Sequence, residues 1–154
     1  MNVLIDTGVL LRLAIRTDQL HSEARTAIRI LQSRGDHLIA MTQNAAEFWN
    51  VCTRPSSSNG YGLSIQETSQ KLKLIERLIE FRPETLAAFI EWKKLLTTHS
   101  VSGVEVHDAR LAAAMIAYGI SSILTFNGKD FKRYPMLTIF DPKSFSTTLN
   151  LPSN

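Results

Sequence analysis

Short apolar runs alternate with stretches of helical period along the whole of this chain. Val3, Leu4 and Ile5 are apolar and rich in β-branching, the pattern of a strand buried on both faces of a parallel sheet. Past Asp6 the period turns helical: Val9, Leu10, Leu13 and Ala14 share one face, while Arg12 and Arg16 stand one turn apart on another. A second helix is predicted over about His21–Ser33, with Ala24, Ala27, Ile28 and Leu31 inward and Gly35 as its stop. HLIAM, His37–Met41, reads as the second strand, and Thr42 can cap the helix that follows.

In that third helix Gln43, Glu47, Asn50 and Arg54 form one polar stripe, and Ala45, Phe48, Trp49 and Cys52 the apolar side. Pro55 stops it, and the turn formers of PSSSNGYG make a loop. Ser64 and Glu67 have the spacing of a capping box and open a helix over residues 64–76. Residues 78–81 read as a third strand, ended by Pro83. Residues 85–98 form an amphipathic helix expected to bury Leu86, Phe89, Trp92 and Leu96. Over residues 109–118 the chain is apolar on all sides, so this helix should be largely buried, with Gly119 as its C′ residue. Residues 122–125 and 137–140 read as the last strands. Such alternation indicates an α/β fold, a parallel sheet covered on both faces. The tail, SFSTTLNLPSN, is uncharged and polar and is expected to be loosely ordered.

A length of 154 residues fits one domain, and 44% hydrophobic residues can fill a core. The single cysteine, Cys52, excludes an intramolecular disulfide and fits a reducing cytoplasm. Beside Phe48, Trp49 and Val51 it reads as a buried structural thiol. No basic region precedes an apolar stretch at the N-terminus, so no signal peptide is expected. The longest apolar run, residues 111–118, falls far short of the roughly 20 residues a bilayer span requires. A net charge of +3 suits a polyanionic partner without requiring one.

The chemistry is concentrated in the acids. In right-handed βαβ units every helix that follows a strand starts at the sheet's carboxyl edge. Asp6 lies just past the first strand, and Glu47 in the first turns of the helix after the second. Asp108 opens the helix that runs antiparallel into the fourth strand, and Asn127 and Asp130 follow that strand. Each alone has a structural reading: Asp6 as a helix N-cap, Asp108 as a charge favoured by the helix dipole, Glu47 and Asp130 as solvated surface. Together they repel one another unless a cation or proton compensates. An all-oxygen set favours Mg²⁺ or Mn²⁺ over Zn²⁺. His107 reads as a structural or supporting group, and Arg12, Arg16, Arg54, Lys129, Lys132 and Arg133 are candidates to hold a phosphodiester backbone.

IDTGVLL, the helical Glu47, VHDARLAAAMIAYGI and ILTFNGKDF, in this order, resemble the PIN-domain ribonucleases, and most of all the VapC toxins of bacterial toxin–antitoxin pairs. The likeness runs over residues 2–141. It implies a three-layer α/β/α sandwich with a central parallel sheet of four to five strands. Residues 1–142 would be a single PIN-like domain, with 143–154 a polar C-terminal tail. It implies a Mg²⁺- or Mn²⁺-dependent endoribonuclease, a cognate antitoxin partner and a homodimer. By position, Asp6, Glu47 and Asp108 match the metal-binding and catalytic acids, and in TFNGKDF Asn127 holds the place of the fourth, for which Asp130 is the acid that can substitute. Thr7 matches the hydroxyl residue beside the first aspartate, Thr7 and Asn127 would orient ligands or water, and Arg12, Arg54 and Lys129 are the candidates for RNA contacts. Two departures stand out: Gly8 where the family commonly has asparagine or serine, and Asn127 where aspartate is frequent. Two other classes compete. One is a PIN-like module that binds RNA or protein without cutting. The other is a phosphoacceptor receiver domain, disfavoured because the third strand ends in FRP with no acid.

Overall fold

A computed structural model describes residues 1–148 of the chain. Its elements run β1 (Asn2–Ile5), α1 (Thr7–Ala14), α2 (His21–Ser33), β2 (His37–Met41), α3 (Thr42–Thr53), α4 (Ile65–Glu76), β3 (Glu80–Arg82), α5 (Leu86–Thr98), α6 (Val106–Ala117), β4 (Ser122–Leu124), β5 (Thr138–Phe140) and α7 (Pro142–Thr148). All strand pairs are parallel, in the order β3-β2-β1-β4-β5. β1 is central, and the strand order reverses beside it, where open α/β sheets form their crevice.

Alternation along the strands builds two cores. Val3, Ile5, Leu38, Ala40 and Leu124 pack under the α1–α4 side together with Phe48 and Cys52. Leu4, Ile39, Met41 and Ile123 face the opposite layer with Ala109, Ala112, Ala113 and Met115 of α6. Crossovers from β1 through β3 move one way across the sheet and the β3–β4 crossover moves back, so right-handedness sends their helices to opposite faces. The result is the three-layer sandwich.

Several local expectations are revised. β3 begins at Glu80, because Leu78 is turned out and only Ile79 is buried ahead of the strand. Thr42 is the first helical residue and not the cap; the Met41 N–H is held by the Asn44 side chain at 2.8 Å. Ser64 and Glu67 do form their capping box. α5 buries Ala88 and Leu95, with Trp92 partly covered, while Leu86 is 75% and Phe89 50% exposed. The buried stripe is rotated from the predicted one because α6 presents alanines, and Ala88 lets the two backbones approach closely. The expected loose tail is helical over Pro142–Thr148, and Phe145 is buried against the first core with its ring edge-on to Phe140. The remaining tail residues lie outside the described residues.

Candidate metal centre

β1 ends at Ile5, and the backbone of Asp6 stays extended before α1 begins, so the carboxylate sits at the carboxyl edge of the central strand. It both caps and faces the crevice. Oδ1 accepts the Thr7 N–H at 2.7 Å, and Oδ2 accepts the Thr125 hydroxyl at 2.7 Å. Thr125 directly follows the neighbouring β4 as Asp6 follows β1, and its buried hydroxyl also accepts the Asn127 N–H at 3.0 Å.

Glu47 reaches the edge from α3 and is held on both oxygens. The Thr7 hydroxyl donates to Oε2 at 2.6 Å, and Gln43 Nε2 donates to Oε1 at 2.8 Å. Thr7 is fixed in turn by the fully buried Asn44, whose Nδ2 donates to its Oγ1 at 3.0 Å. Gln43 Nε2 also donates to the His107 carbonyl at 3.0 Å, tying α3 to the first turn of α6. That turn carries Asp108 from the opposite face of the sheet. Asp130 follows β4 on the one-turn 3-10 helix Gly128–Phe131.

None of these four acids takes part in an ion pair among the described residues. Burial and neighbouring charge together raise two of them, Asp108 and Asp6. Burial, followed by the charges of Asp130, Asp6 and Glu47, pushes the Asp108 carboxyl up to about 6. Burial also raises Asp6, against the lowering effect of its bonds from Thr125 and Thr7, and Glu47 and Asp130 raise it further. Among the described residues, no three histidine, cysteine, aspartate or glutamate side chains are drawn up around one point. The donor set is nevertheless all oxygen, directed to one rim and free of ion pairs among the described residues, which suits a hard divalent ion.

A model of the PIN domain family matches residues 3–137. The chain belongs to the PIN domain family. A comparison with curated proteins returned no match. Three solved structures share the fold at 16% identity: VapBC2 of Rickettsia felis bound to promoter DNA (TM-score 0.71, 92% of this chain and 98% of that one), VapBC-1 of nontypeable Haemophilus influenzae (0.68, 93% and 99%), and VapC20 of Mycobacterium tuberculosis, described as a sarcin–ricin-loop-cleaving toxin (0.65, 86% and 95%).

The PIN fold brings Asp6, Glu47, Asp108 and Asp130 to one edge, with Thr7 and Asn127 beside them and exposed Lys129 on the rim. Arg12 flanks this edge, half-buried, with Nη1 donating to the Gly8 carbonyl at 2.9 Å. Arg54 is not brought there. It lies at the far end of α3, about 10 Å along the axis from Glu47, where its Nη2 donates to the Asn59 carbonyl at 2.9 Å. A Cβ at Gly60 would overlap the Arg54 carbonyl, so the loop closes onto this end of the helix. Arg133 is paired with Glu105. Asn44, Gln43 and Thr125 were not singled out from the sequence as site residues. The available signals were Asn44 three positions past Met41 and a hydroxyl at the end of an apolar strand. No helix among the described residues is long and apolar enough to cross a membrane.

Proposed function

We propose that this PIN domain is a divalent-metal-dependent endoribonuclease, the toxin of a toxin–antitoxin pair, acting in the cytoplasm as a homodimer. The observation that carries the reading is the set of four acids, reaching one edge from four segments, none of them in an ion pair among the described residues. Asp6, Glu47, Asp108 and Asp130 would hold Mg²⁺ or Mn²⁺, which when bound polarises a phosphoryl oxygen and lowers the pKa of a water. The chain's own residues do the positioning. Thr125 and the Thr7 N–H orient the Asp6 carboxylate, and Thr7 and Gln43 hold Glu47 so that its remaining lone pairs face the crevice. Asn127 contributes an amide at the same rim, and Lys129 an exposed cation for an RNA phosphate. An antitoxin partner is supported by the VapBC complexes among the similar folds.

A module that binds without cutting is favoured by one observation, the absence of any three ligand side chains already grouped among the described residues. One experiment separates the two. Single-stranded RNA is incubated with the parent, Asp6→Asn and Asp108→Asn proteins at increasing Mn²⁺, while thermal unfolding is followed in parallel. The nuclease reading expects cleavage by the parent alone and an upward thermal shift with Mn²⁺ that both variants lose. Equal cleavage by parent and variants, or no response of the parent to the ion, overturns it.

A further inference from the structure

Gly8 is the position at which the chain leaves the pattern it resembles, and the structure puts something in the space. A Cβ built on Gly8 would stand 3.9 Å from Asp6 Oδ2 and 3.3 Å from Arg12 Nη1, the second tighter than ordinary packing. Carboxylate and guanidinium therefore flank the volume that a side chain at position 8 would fill. Arg12 comes from one turn further along α1 and folds back toward the helix start.

The guanidinium is held in place with a single loose ion pair, to Asp18. Nη1 donates to the Gly8 carbonyl, and the group lies over the Phe126 ring, 5.0 Å from its centroid. In that pair Asp18 Oδ1 lies 3.7 Å from Nε, beyond hydrogen-bond reach, and the oxygen already accepts the Leu20 N–H at 2.8 Å. Nε is buried and makes no hydrogen bond, and Nη2 makes none among the described residues. Phe126 directly follows Thr125, the residue that holds Asp6, so the support of the guanidinium and that of the carboxylate are adjacent in the chain. A rigid planar cation with unused donors beside an acid cluster is the equipment for fixing a phosphate by a fork of hydrogen bonds.

We propose that Gly8 and Arg12 act as one unit: the missing side chain opens the notch that holds the Arg12 guanidinium, which binds an RNA phosphate neighbouring the one at the acid cluster. The inference rests on the endoribonuclease reading. It makes Gly8 a requirement for the position of Arg12, and Phe126 the support beneath it. A side chain at position 8 would displace the guanidinium, and a lysine at 12 would keep the charge but lose the fork.

The test measures binding of a single-stranded RNA oligonucleotide by anisotropy in chelator, across a salt series, together with KM and kcat in Mn²⁺. Arg12→Gln should weaken binding roughly tenfold, as for one charge-assisted contact, and reduce the slope of log K against log salt by about 0.7, as for one phosphate on a single strand. KM should rise by more than kcat falls. Gly8→Asn should weaken binding similarly, and the Gly8→Asn/Arg12→Gln double variant should be no weaker than either single. If Arg12→Gln does not fold, Arg12→Lys serves: the salt slope should stay near the parent's while affinity falls. An unchanged slope and affinity in Arg12→Gln, parent affinity in Arg12→Lys, or additive losses in the double variant overturns the pairing. If the parent neither binds nor cuts the RNA, the nuclease reading fails first and the pairing falls with it. If the parent cuts normally and only the coupling is missing, the pairing alone is wrong.

Discussion

Two regions of this PIN domain carry unbalanced charge, and they hold it differently. At the carboxyl edge, Asp6 and Glu47 are each fixed on both oxygens by short bonds from neutral donors, with the fully buried Asn44 behind them. On the helical face, a groove of about 550 Å³ between α2 and α4 has an apolar floor that includes Leu13 and Ile28, with walls carrying Arg16, Arg25 and Arg29. No ion pair engages those arginines among the described residues, and no buried network orients them. The net charge of +3 averages over both regions and describes neither. Preorganisation separates them: fixed dipoles and carboxylates can serve chemistry at a defined point, whereas long free cations above apolar floor can only serve a surface.

The contrast can be broken most strongly by exchanging targets. Asp108→Asn should reduce Mn²⁺-dependent RNA cleavage at least about a hundredfold, on the scale of losing a charged group from a metal site, whereas Arg29→Ala should leave initial rates within about threefold. Comparable losses in both would erase the distinction between a chemical site and a surface.

A smaller effect is expected from the support. Thr7→Val deletes the hydroxyl that donates to Glu47 and accepts from Asn44, leaving a buried amide donor unmet. Cleavage should drop roughly tenfold, and the urea midpoint should fall by an amount equivalent to about 1–3 kcal/mol. A rate equal to the parent's would mean that Glu47 is not positioned through Thr7.

The smallest effect is one of pH on the metal-free protein. Asp108 titrates near 6 in the fold, well above its ordinary value of 3.8, and Asp6 is raised as well. The folded state therefore holds protons that the unfolded chain has released. Stability should decline as pH rises from about 4 through 6, with the slope set by the difference in bound protons. Asp108→Asn should flatten the decline. Urea midpoints measured in chelator at each pH would check it, and a parent whose stability rises over this interval would exclude crowded acids as the cause.

The fold was largely legible because its signals are local. The β-branched run at Val3–Ile5, the capping box at Ser64 and Glu67 and the stop at Gly119, with φ of 65°, each depend on a few adjacent residues. The α5 stripe was misjudged because periodicity gives the width of an apolar face but not its rotation, which the alanines of α6 decided. Arg54 was misplaced for a similar reason: a polar stripe along α3 spans both ends of the sheet, and only its Glu47 end reaches the crevice.

The sequence alone determined the class of fold, the edge to which Asp6, Glu47, Asp108 and Asp130 are directed, and the oxygen-only character of that edge, because strand and helix direction follow from pattern and handedness. Tertiary structure decided how the acids are held. The Thr7 link between Asn44 and Glu47, the seat of Asp6 on Thr125 and the place of Arg12 over Phe126 join residues far apart in the chain. Such contacts leave no periodic trace, because a hydrogen bond or a stacked ring needs only two side chains to meet once in space.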